Sequence, residues 1–403
     1  MNLNLDPQPW MTAAATRKVM AALHAQGPAR FVGGCVRDAL MGWPVGDIDI
    51  ATPLEPSAVT AALKAAGLKA VPTGIEHGTV TAVADGKPFE ITTLRRDVET
   101  DGRRAVVAFT TDWAEDAERR DFRLNALYLD DDGTILDPTG AGVADARAGR
   151  IVFVGAPQTR IREDYLRILR FFRFFAWFGQ GEADAAGLEA CAALRDGLKG
   201  LSGERVSKEL LKLLAAPDPR PSVRLMAASG VLGVLLPEAD GLARFEALVA
   251  IQAGEGLDAD EVLRLAALLP ADASIVRGAA RRLRLSNHQR DRLLAAVPTP
   301  GVELAAKEGR PALYRLGRAA FRDQALLAWA ADGDDAWRRL YALPDHWAPP
   351  PFPITAEDIK AAGVPEGPQH GHVRRAVEDW WIAVDFPEDR EAALAELKRA
   401  ARL

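Results

Sequence analysis

Residues Phe31 to Thr52 read FVGGCVRDALMGWPVGDIDIAT, and this stretch decides the fold. Gly33 and Gly34 have no Cβ atom, so the backbone N–H groups of this turn approach an anion closely. The run from Val36 to Leu40 predicts a helix that starts at the turn, and the N-terminus of a helix favours negative charge. The glycine turn therefore predicts a phosphate site, with Arg37 beside it.

Two aspartates follow a second turn. Asp47 and Asp49 alternate with Ile48 and Ile50 in a predicted strand, so both carboxylates point to one face while the isoleucines enter the core. Magnesium commonly binds one or two carboxylates and completes its octahedron with substrate phosphates and water. A lone glycine pair is usually a turn and a lone Asp-x-Asp is usually a solvated strand end, but the two in this order predict a triphosphate-and-Mg²⁺ site held by Asp47 and Asp49.

A third acidic residue, Glu90, lies between Phe89 and Ile91 in a further predicted strand. If this strand lies beside the aspartates, Glu90 faces the same metals and helps to position or deprotonate an attacking hydroxyl group. The alternative is a structural role, in which Glu90 pairs with Arg95 or Arg96. We favour the catalytic role.

The string RRDFRLNAL, residues 119–127, places charged residues just before an apolar segment. The guanidinium of Arg120 can bind phosphate oxygens in pairs, and the carboxylate of Asp121 can accept hydrogen bonds from ribose hydroxyls. The alternative is a surface salt-bridge cluster, because such strings are common.

A basic helix is predicted over residues 160–178, where five arginines stand against two acids between Arg160 and Arg173. Asp164, Arg167, Arg170 and Arg173 recur every third residue and so share a slowly winding helix face. A carboxylate accepts from the exocyclic amine of C or A, and an arginine donates to the neighbouring ring nitrogen, whereas U and G present the reverse pattern. The alternative is a helix stabilised by ion pairs, with its arginines in water.

Length and composition limit the class of protein. A chain of 403 residues exceeds the size of one hydrophobic core, so two or more domains are expected. The N-terminus lacks the pattern of a signal peptide and no long apolar run is present, which predicts a cytoplasmic protein without a membrane segment. Cys35 and Cys191 offer no zinc pattern and are predicted to be buried. No adjacent His-Asp pair is present, which argues against a phosphohydrolase of that type.

Strands are predicted at residues 30–32, 47–51, 79–84, 89–94 and 124–129, with helices at 12–26 and 57–66. After Pro157 the periodicity is helical almost throughout, interrupted by a proline-rich spacer at residues 347–353. The fold class predicted is α+β, with a small mixed-sheet head followed by an all-α remainder.

With GGCVRDALMGWPVGDIDIAT, FEITTLRRD, RRDFRLNAL, EDYLRILRFFRF and GERVSKELLKLL in this order, the chain resembles the class II tRNA nucleotidyltransferases, the CCA-adding enzymes, and their bacterial poly(A) polymerase relatives. The resemblance implies a polymerase-beta-like nucleotidyltransferase head at 1–157, a neck at 158–220 that selects the nucleotide base, a body at 221–350 and a tRNA-binding tail at 351–403. It also implies Mg²⁺ as cofactor, CTP and ATP as substrates and the 3′ acceptor end of tRNA as partner.

Carried over by motif, the catalytic residues are Asp47, Asp49 and Glu90, and the nucleotide-binding residues are Gly33, Gly34, Arg37, Arg120, Asp121, Asp164, Arg167, Arg170 and Arg173. The expected reaction is template-independent addition of C, C and A. The polar stretch between Arg96 and Glu118 resembles the family's flexible loop, which favours full addition over a partial CC-adding enzyme. A poly(A) polymerase or an A-adding enzyme is the alternative, and a non-catalytic RNA-binding protein is a third. Arg123 stands where the family more commonly has threonine, either as a phosphate contact or as a surface charge.

Overall fold

A seven-stranded mixed sheet forms the centre of the N-terminal part of the chain. The computed structural model describes residues 4–75, 78–100, 105–302, 304 and 309–402. The strands are β1 Arg30–Val32, β2 Asp49–Thr52, β3 Lys69–Gly74, β4 Thr79–Ala84, β5 Lys87–Thr93, β6 Arg95–Thr100, β7 Ala105–Phe109, β8 Tyr128–Leu129 and β9 Ile135–Leu136.

The strand order of the large sheet is β3-β4-β5-β2-β1-β8-β9. Its described pairings are antiparallel except that between β2 and β5, which is parallel. The hairpin from β4 to β5 turns at Asp85 and Gly86, both with positive φ, as the two-residue turns that match the twist of antiparallel strands require. The mixed sheet of the predicted fold class is therefore confirmed.

Strands β6 and β7 form a separate two-stranded ladder. They occupy the segment predicted as a flexible loop, and residues 101–104, which join them, lie outside the described residues. The strands assigned from the sequence were wrong in two details. The strand predicted over 124–129 is a 3₁₀ turn at Arg123–Asn125 followed by β8, and β3 was missed because Pro72 breaks its strand pattern.

Helices pack against the sheet in the first part of the chain, and the described residues after β9 form helices and their connections. In the first part of the chain they are α1 Pro9–Thr12, α2 Ala14–His24, α3 Gly34–Leu40, α4 Pro56–Ala65, α5 Trp113–Glu118, α6 Gly142–Ala148, α7 Pro157–Glu163, α8 Leu166–Phe178, α9 Ala185–Leu194, α10 Gly203–Leu214, α11 Arg220–Ala228 and α12 Val231–Leu235. A second 3₁₀ helix spans Arg195–Gly200. α2 and α4 contact β4, and Val80, Ala82 and Ile91 are buried. One face of the sheet thus packs against helices and forms a buried core.

The later helices are α13 Leu242–Gly254, α14 Glu261–Leu268, α15 Ala273–Arg282, α16 Asn287–Ala295, α17 Arg310–Asp332, α18 Ala336–His346, α19 Ala356–Ala361, α20 Pro368–Ala383 and α21 Arg390–Ala400. Within α17, Gly317 has φ 75° and ψ 164°, so two helical segments meet there at a kink. Near the C-terminus, Ile359, Val377 and Leu397 belong to one buried cluster that joins α19, α20 and α21.

The chain divides into two compact units, Met1–Pro237 and Glu238–Leu403. The finer division into head, neck, body and tail stays a prediction. Among the described residues, none of the helices is both long and apolar enough to cross a membrane.

Candidate active site

Three carboxylates lie at one end of the parallel strand pair. β2 begins at Asp49, and Asp47 precedes it in an exposed bend rather than in the strand that the sequence predicted. Asp49 is directly opposite Glu90 in the parallel register, and the backbone N–H of Glu90 donates to the carbonyl of Ile48 at 3.3 Å. Residues far apart in sequence are therefore brought side by side, because β2 and β5 are neighbours.

Burial and neighbouring negative charge change the protonation of Asp49. Burial, together with the charges of Glu90 and Asp47, raises the pKa of this carboxyl to about 6, whereas the charge of Arg120 acts in the opposite direction. The structural role considered for Glu90 gains no support from Arg96, which lies 3.9 Å from Glu115. A cation placed among the carboxylates would relieve their repulsion.

The donor set fits Mg²⁺ only together with a substrate. Among the described residues, no group of three or more His, Cys, Asp or Glu side chains is arranged to hold a metal by itself. Magnesium is typically held by one or two carboxylates plus phosphate oxygens and water rather than by an all-protein cage. Asp47 and Asp49 match that incomplete set.

The glycine turn lies against two guanidinium groups. Gly33 has φ 73° and ψ −120° and links β1 to α3, a backbone conformation that glycine adopts without strain. A Cβ atom on Gly33 would lie 3.6 Å from Nη1 of Arg120, and one on Gly34 would lie 3.7 Å from Nη2 of Arg37. The structure thus gathers both glycines and both arginines into one cationic corner, as an anionic triphosphate requires.

Arg37 is buried and held from three sides. Its Nη1 donates to Oδ1 of Asn125 at 2.8 Å, and its Nε donates to Oδ1 of Asp38 at 2.8 Å. The ring of Phe178, the last residue of α8, lies 3.9 Å from the guanidinium carbon. The direction of the Arg37 charge is therefore fixed before any ligand binds.

Arg120 is held by Asp116, which the sequence reasoning missed. Asp116 is 1% exposed and accepts from Arg119 at 2.7 Å, from Arg120 at 2.9 Å and from the hydroxyl of Tyr128 at 2.6 Å. Burial raises the pKa of Asp116, but the two arginines and Tyr128 outweigh burial and bring it down to about 2. The predicted alternative of a salt-bridge cluster is thus partly right, although the acid lies in the interior rather than at the surface.

Asp121 has protein partners at both carboxylate oxygens. Oδ1 accepts from the backbone N–H of Phe122 at 2.8 Å and from Asn125 at 3.2 Å, and Oδ2 accepts from Nε of Arg170 at 2.7 Å. Although burial raises the pKa of Asp121, Arg170 and these hydrogen bonds hold it below its usual range. Two predicted nucleotide-binding residues, Asp121 and Arg170, therefore form an ion pair with each other.

Asp164 does not lie on the helix face that the sequence predicted. The helix expected over 160–178 is interrupted, because Asp164 has an extended backbone (φ −153°, ψ 105°) between α7 and α8. Its Oδ1 accepts from the backbone N–H of Leu166 at 3.1 Å, and its Oδ2 accepts from Nη2 of Arg205 at 2.8 Å. The three-residue spacing of the charged residues from Asp164 to Arg173 is typical of a continuous helix, so the sequence pattern did not indicate this break.

Arg167 and Arg173 also have partners within the protein. Arg167 donates to the carbonyl of Arg119 at 3.0 Å and forms an ion pair with Glu163. Arg173 donates to Oε2 of Glu209 at 2.6 Å. The side chain of Arg167 is only 12% exposed, so the alternative of ion pairs is correct while their placement in water is not.

Arg205 and Glu209, both on α10, were not among the predicted site residues. Arg205 holds Asp164 and Glu209 holds Arg173, one helical turn apart. The i,i+4 spacing of two charged residues in GERVSKELL was the signal available for them. Nη1 of Arg123, in contrast, lies 3.8 Å from Oδ2 of the buried Asp145, so its charge has a partner within the protein.

Two family models match this chain. The Poly A polymerase head domain matches residues 29–152, and the probable RNA and SrmB- binding site of polymerase A matches residues 184–242. The first range contains the three carboxylates and the cationic corner, and the second contains α10.

Curated relatives cover most of the sequence. The chain is 33% identical over 383 residues to CCA tRNA nucleotidyltransferase 1, mitochondrial, of Mus musculus, covering 92% of this chain and 86% of the mouse protein. It is 40% identical over 212 residues to the CCA-adding enzyme of Geobacillus thermodenitrificans, covering 52% of this chain and 50% of that enzyme.

Solved structures share the fold along the whole length. The crystal structure of the Bacillus stearothermophilus CCA-adding enzyme in complex with CTP superposes with a TM-score of 0.77 at 28% identity and covers 98% of both chains. The Thermotoga maritima CCA-adding enzyme complexed with tRNA_CCA superposes with a TM-score of 0.72 at 21% identity and covers 98% of this chain and 96% of that one.

Proposed function

The chain belongs to the CCA-adding enzymes of the tRNA nucleotidyltransferase family, and from this premise we propose that it adds C, C and A to the 3′ end of tRNA, using CTP and ATP and releasing pyrophosphate. No nucleic-acid template directs the order of addition. The protein's own side chains select each nucleotide.

One observation of the structure supports this reaction above all. Asp49 and Glu90 are neighbours in the parallel register, and the charge of Arg120 acts on Asp49. Carboxylates suited to binding a cation thus lie beside an arginine suited to binding phosphate. Nucleotidyl transfer from a triphosphate needs both.

The nucleotidyltransferase family is generally metal-dependent, and we infer Mg²⁺ held by Asp47 and Asp49. When bound, the ion would neutralise the triphosphate charge and lower the pKa of the attacking hydroxyl. Arg37 and Arg120 bind the triphosphate oxygens, and the N–H groups near Gly33 and Gly34 complete the cradle.

In the reaction, the 3′ oxygen of the RNA forms a bond to the α-phosphorus of the incoming nucleotide. The bond from that phosphorus to the bridging oxygen of pyrophosphate breaks, and the leaving group takes its electron pair. Glu90, next to Asp49, accepts the proton of the 3′ hydroxyl. Its exposure leaves it accessible to this proton.

For nucleotide selection we propose Asp164 and Arg167. The carboxylate accepts from the exocyclic amine of C or A, and the guanidinium donates to the adjacent ring nitrogen. By analogy with groove readout, a well-made pair of contacts discriminates by about 1–3 kcal/mol. Asp164 can keep its hydrogen bond from Arg205, because each carboxylate oxygen accepts more than one hydrogen bond, whereas Arg167 must exchange its ion pair with Glu163. Arg170 and Arg173 complete the pocket, and Asp121 accepts from the ribose.

We also propose that residues 158–220 act as the neck and that residues 221–350 and 351–403, the body and the tail, bind the tRNA acceptor arm. The proposed location is the cytoplasm. Mitochondrial relatives exist in mouse and human, so cell fractionation with compartment markers tests the location directly.

The test of function uses tRNA transcripts that end before, within and after CCA. CTP, ATP, UTP and GTP are supplied singly and together, and the 3′ ends are sequenced. We expect completion to CCA and then arrest. A long A-tail on unrelated RNA would indicate a poly(A) polymerase, and arrest after CC or dependence on a CC end would indicate a partial enzyme.

The metal assignment is tested by Asp47→Ala combined with Asp49→Ala. We expect the activity to fall at least a thousandfold, while the double variant unfolds on heating at about the same temperature as the parent protein. Asp131→Asn, a change at a surface residue of the same domain, is the matched control. Substantial activity in the double variant would refute the roles of both aspartates.

A further inference from the structure

One face of the large sheet is partly exposed along β3, β4 and β5, on the side of the catalytic carboxylates. Along β4, Val80 and Ala82 are buried, whereas Thr79 and Thr81 are half-exposed. This alternation follows from the two-residue period of a strand, with the apolar face against helices α2 and α4. The face that carries the threonines is therefore turned away from the core.

The register puts these threonines on the same face as the carboxylates. Thr81 pairs with Glu90, and Glu90 pairs with Asp49 on the next strand. Thr79 pairs with Thr92. Because paired residues of adjacent strands project to one side of the sheet, the threonines continue the row that the two acids begin.

The hydroxyl groups lie close to one another. Oγ1 of Thr73 on β3 is 2.8 Å from Oγ1 of Thr81, and Oγ1 of Thr79 is 3.5 Å from Oγ1 of Thr92. We name Thr73, Thr79, Thr81 and Thr92 the threonine face. Each hydroxyl both donates and accepts, so the surface suits a polar ligand with alternating donors and acceptors.

The strand order of the sheet places the threonine face away from the cationic corner. The glycine turn follows β1, and Arg120 lies over the ring of Tyr128 on β8, 5.4 Å from its centroid. The threonines lie on β3, β4 and β5, on the other side of β2. The carboxylates on β2 and β5 thus lie between the cationic corner and the threonine face.

In nucleotidyl transfer, the leaving pyrophosphate and the attacking RNA lie on different sides of the reacting phosphorus. In an in-line displacement, the attacking oxygen and the leaving oxygen lie on opposite sides of the phosphorus. If the pyrophosphate leaves toward Arg37 and Arg120, the RNA 3′ hydroxyl must approach from the opposite side, where β4 and β5 lie.

We propose that the threonine face binds the sugar–phosphate backbone of the last nucleotides of the RNA that is extended. The proposal rests on the function proposed above. Threonine hydroxyls contact phosphate oxygens and ribose 2′-hydroxyls without reading bases. Lys69, exposed on β3 and paired with Val83, adds a positive charge near this surface. Contacts of this kind suit an RNA end whose last bases change during the reaction.

The test replaces all four threonines by valine, which keeps the branched shape and the strand preference while it removes the hydroxyls. We expect the KM for tRNA ending before CCA to rise about tenfold, while the KM for CTP stays within twofold. Thr60→Val, on helix α4 against the opposite face of the sheet, is the matched control and should leave both constants unchanged.

Direct binding separates this proposal from the proposed function. The dissociation constant of a fluorescently labelled tRNA lacking CCA is measured by anisotropy without nucleotide, and it should rise about tenfold in the fourfold variant even if the parent protein transfers no nucleotide. Failure of CCA addition by the parent protein would refute the function alone. Unchanged RNA affinity, or a rise confined to the KM for CTP, would refute the threonine face. If the fourfold variant unfolds below 37 °C, the double variant Thr81→Val, Thr92→Val is used instead. We expect its dissociation constant for the RNA to rise at least threefold, and an unchanged dissociation constant would refute the proposal.

Discussion

Arg205 donates a hydrogen bond of 2.8 Å to Oδ2 of Asp164, across the gap between α10 and the break that separates α7 from α8. Both side chains are partly exposed, at 40% and 30%. A residue proposed to read the nucleotide base is thus oriented by a hydrogen bond from Arg205 on α10.

We therefore predict that Arg205→Ala weakens nucleotide selection. Without its partner, Asp164 is less well oriented, and the loss of a hydrogen bond to a charged group costs about 1.5–3 kcal/mol when the partner is buried and less here because solvent screens the pair. We expect kcat/KM for CTP to fall about fivefold and misincorporation of U to rise. Steady-state kinetics and sequencing of 3′ ends measure both. Lys208→Ala, an exposed change on the same helix, should alter neither.

The ion pair of Asp121 with Arg170 predicts a stability effect. Removing Arg170 leaves a buried carboxylate without its charged partner, and breaking such a pair typically costs about 3–5 kcal/mol. We expect Arg170→Ala to lower the free energy of unfolding by about 3 kcal/mol, measured by urea denaturation. The double variant with Asp121→Asn should recover part of the loss. Equal stability of Arg170→Ala and the parent would contradict the structural role.

Asp116 predicts a pH dependence. Its folded-state pKa of about 2 lies below the ordinary value of 3.8, so it contributes about 2 kcal/mol of stability above pH 4. That contribution is lost as the pH falls from about 4 to about 2, because the unfolded chain binds the proton first. In Asp116→Asn, this part of the acid sensitivity should disappear. Thermal unfolding followed by circular dichroism from pH 6 to pH 2 compares the slopes.

The contact between Phe178 and Arg37 predicts a kinetic effect. A cation over an aromatic ring contributes about 1–2 kcal/mol when the pair is shielded from water. We expect Phe178→Ala to raise the KM for CTP and ATP about tenfold, since Arg37 loses its fixed direction, with a smaller change in kcat. Phe178→Tyr keeps a ring and should restore the parent KM. A fall in kcat with unchanged KM would argue for a different role.

Both cysteines should be chemically silent in the folded protein. Burial raises the pKa of the Cys35 thiol to about 12 and also raises that of Cys191, so the reactive thiolate is scarce at pH 8. We expect a colorimetric thiol reagent to detect no fast-reacting group in the native protein and two groups in guanidinium chloride. A fast native reaction would show that one of these sites opens.

Sequence predicted the parts of the site that lie on regular strands. Asp49 and Glu90 are each flanked by apolar residues, and that pattern fixes both the strand and the face. The local pattern does not show which strands are neighbours, because strand pairing is a long-range property. Here the family resemblance indicated that Glu90 lies near the two aspartates. The sequence also predicted that both cysteines are buried, and this is confirmed.

The remaining site residues were hidden by their neighbours. Asp116 occurs in the polar string WAEDAERRD, which is typical of a surface, and only the fold shows that it lies in the interior. The break at Asp164 was hidden by a three-residue charge repeat that continues through it. Arg205 and Glu209 share an i,i+4 spacing that places them on one helix face, but periodicity does not show which distant residues they contact.

The parallel pairing of β2 with β5 also has a consequence for folding. Asp49 and Glu90 meet only after a loop that contains α4, β3 and β4 has closed, and contacts between distant parts of a chain form slowly. A chain emerging from the ribosome therefore carries its phosphate turn and its first aspartates well before Glu90 joins them. Competence for catalysis should appear late in folding, so a partly folded enzyme would have little opportunity to add nucleotides to RNA indiscriminately.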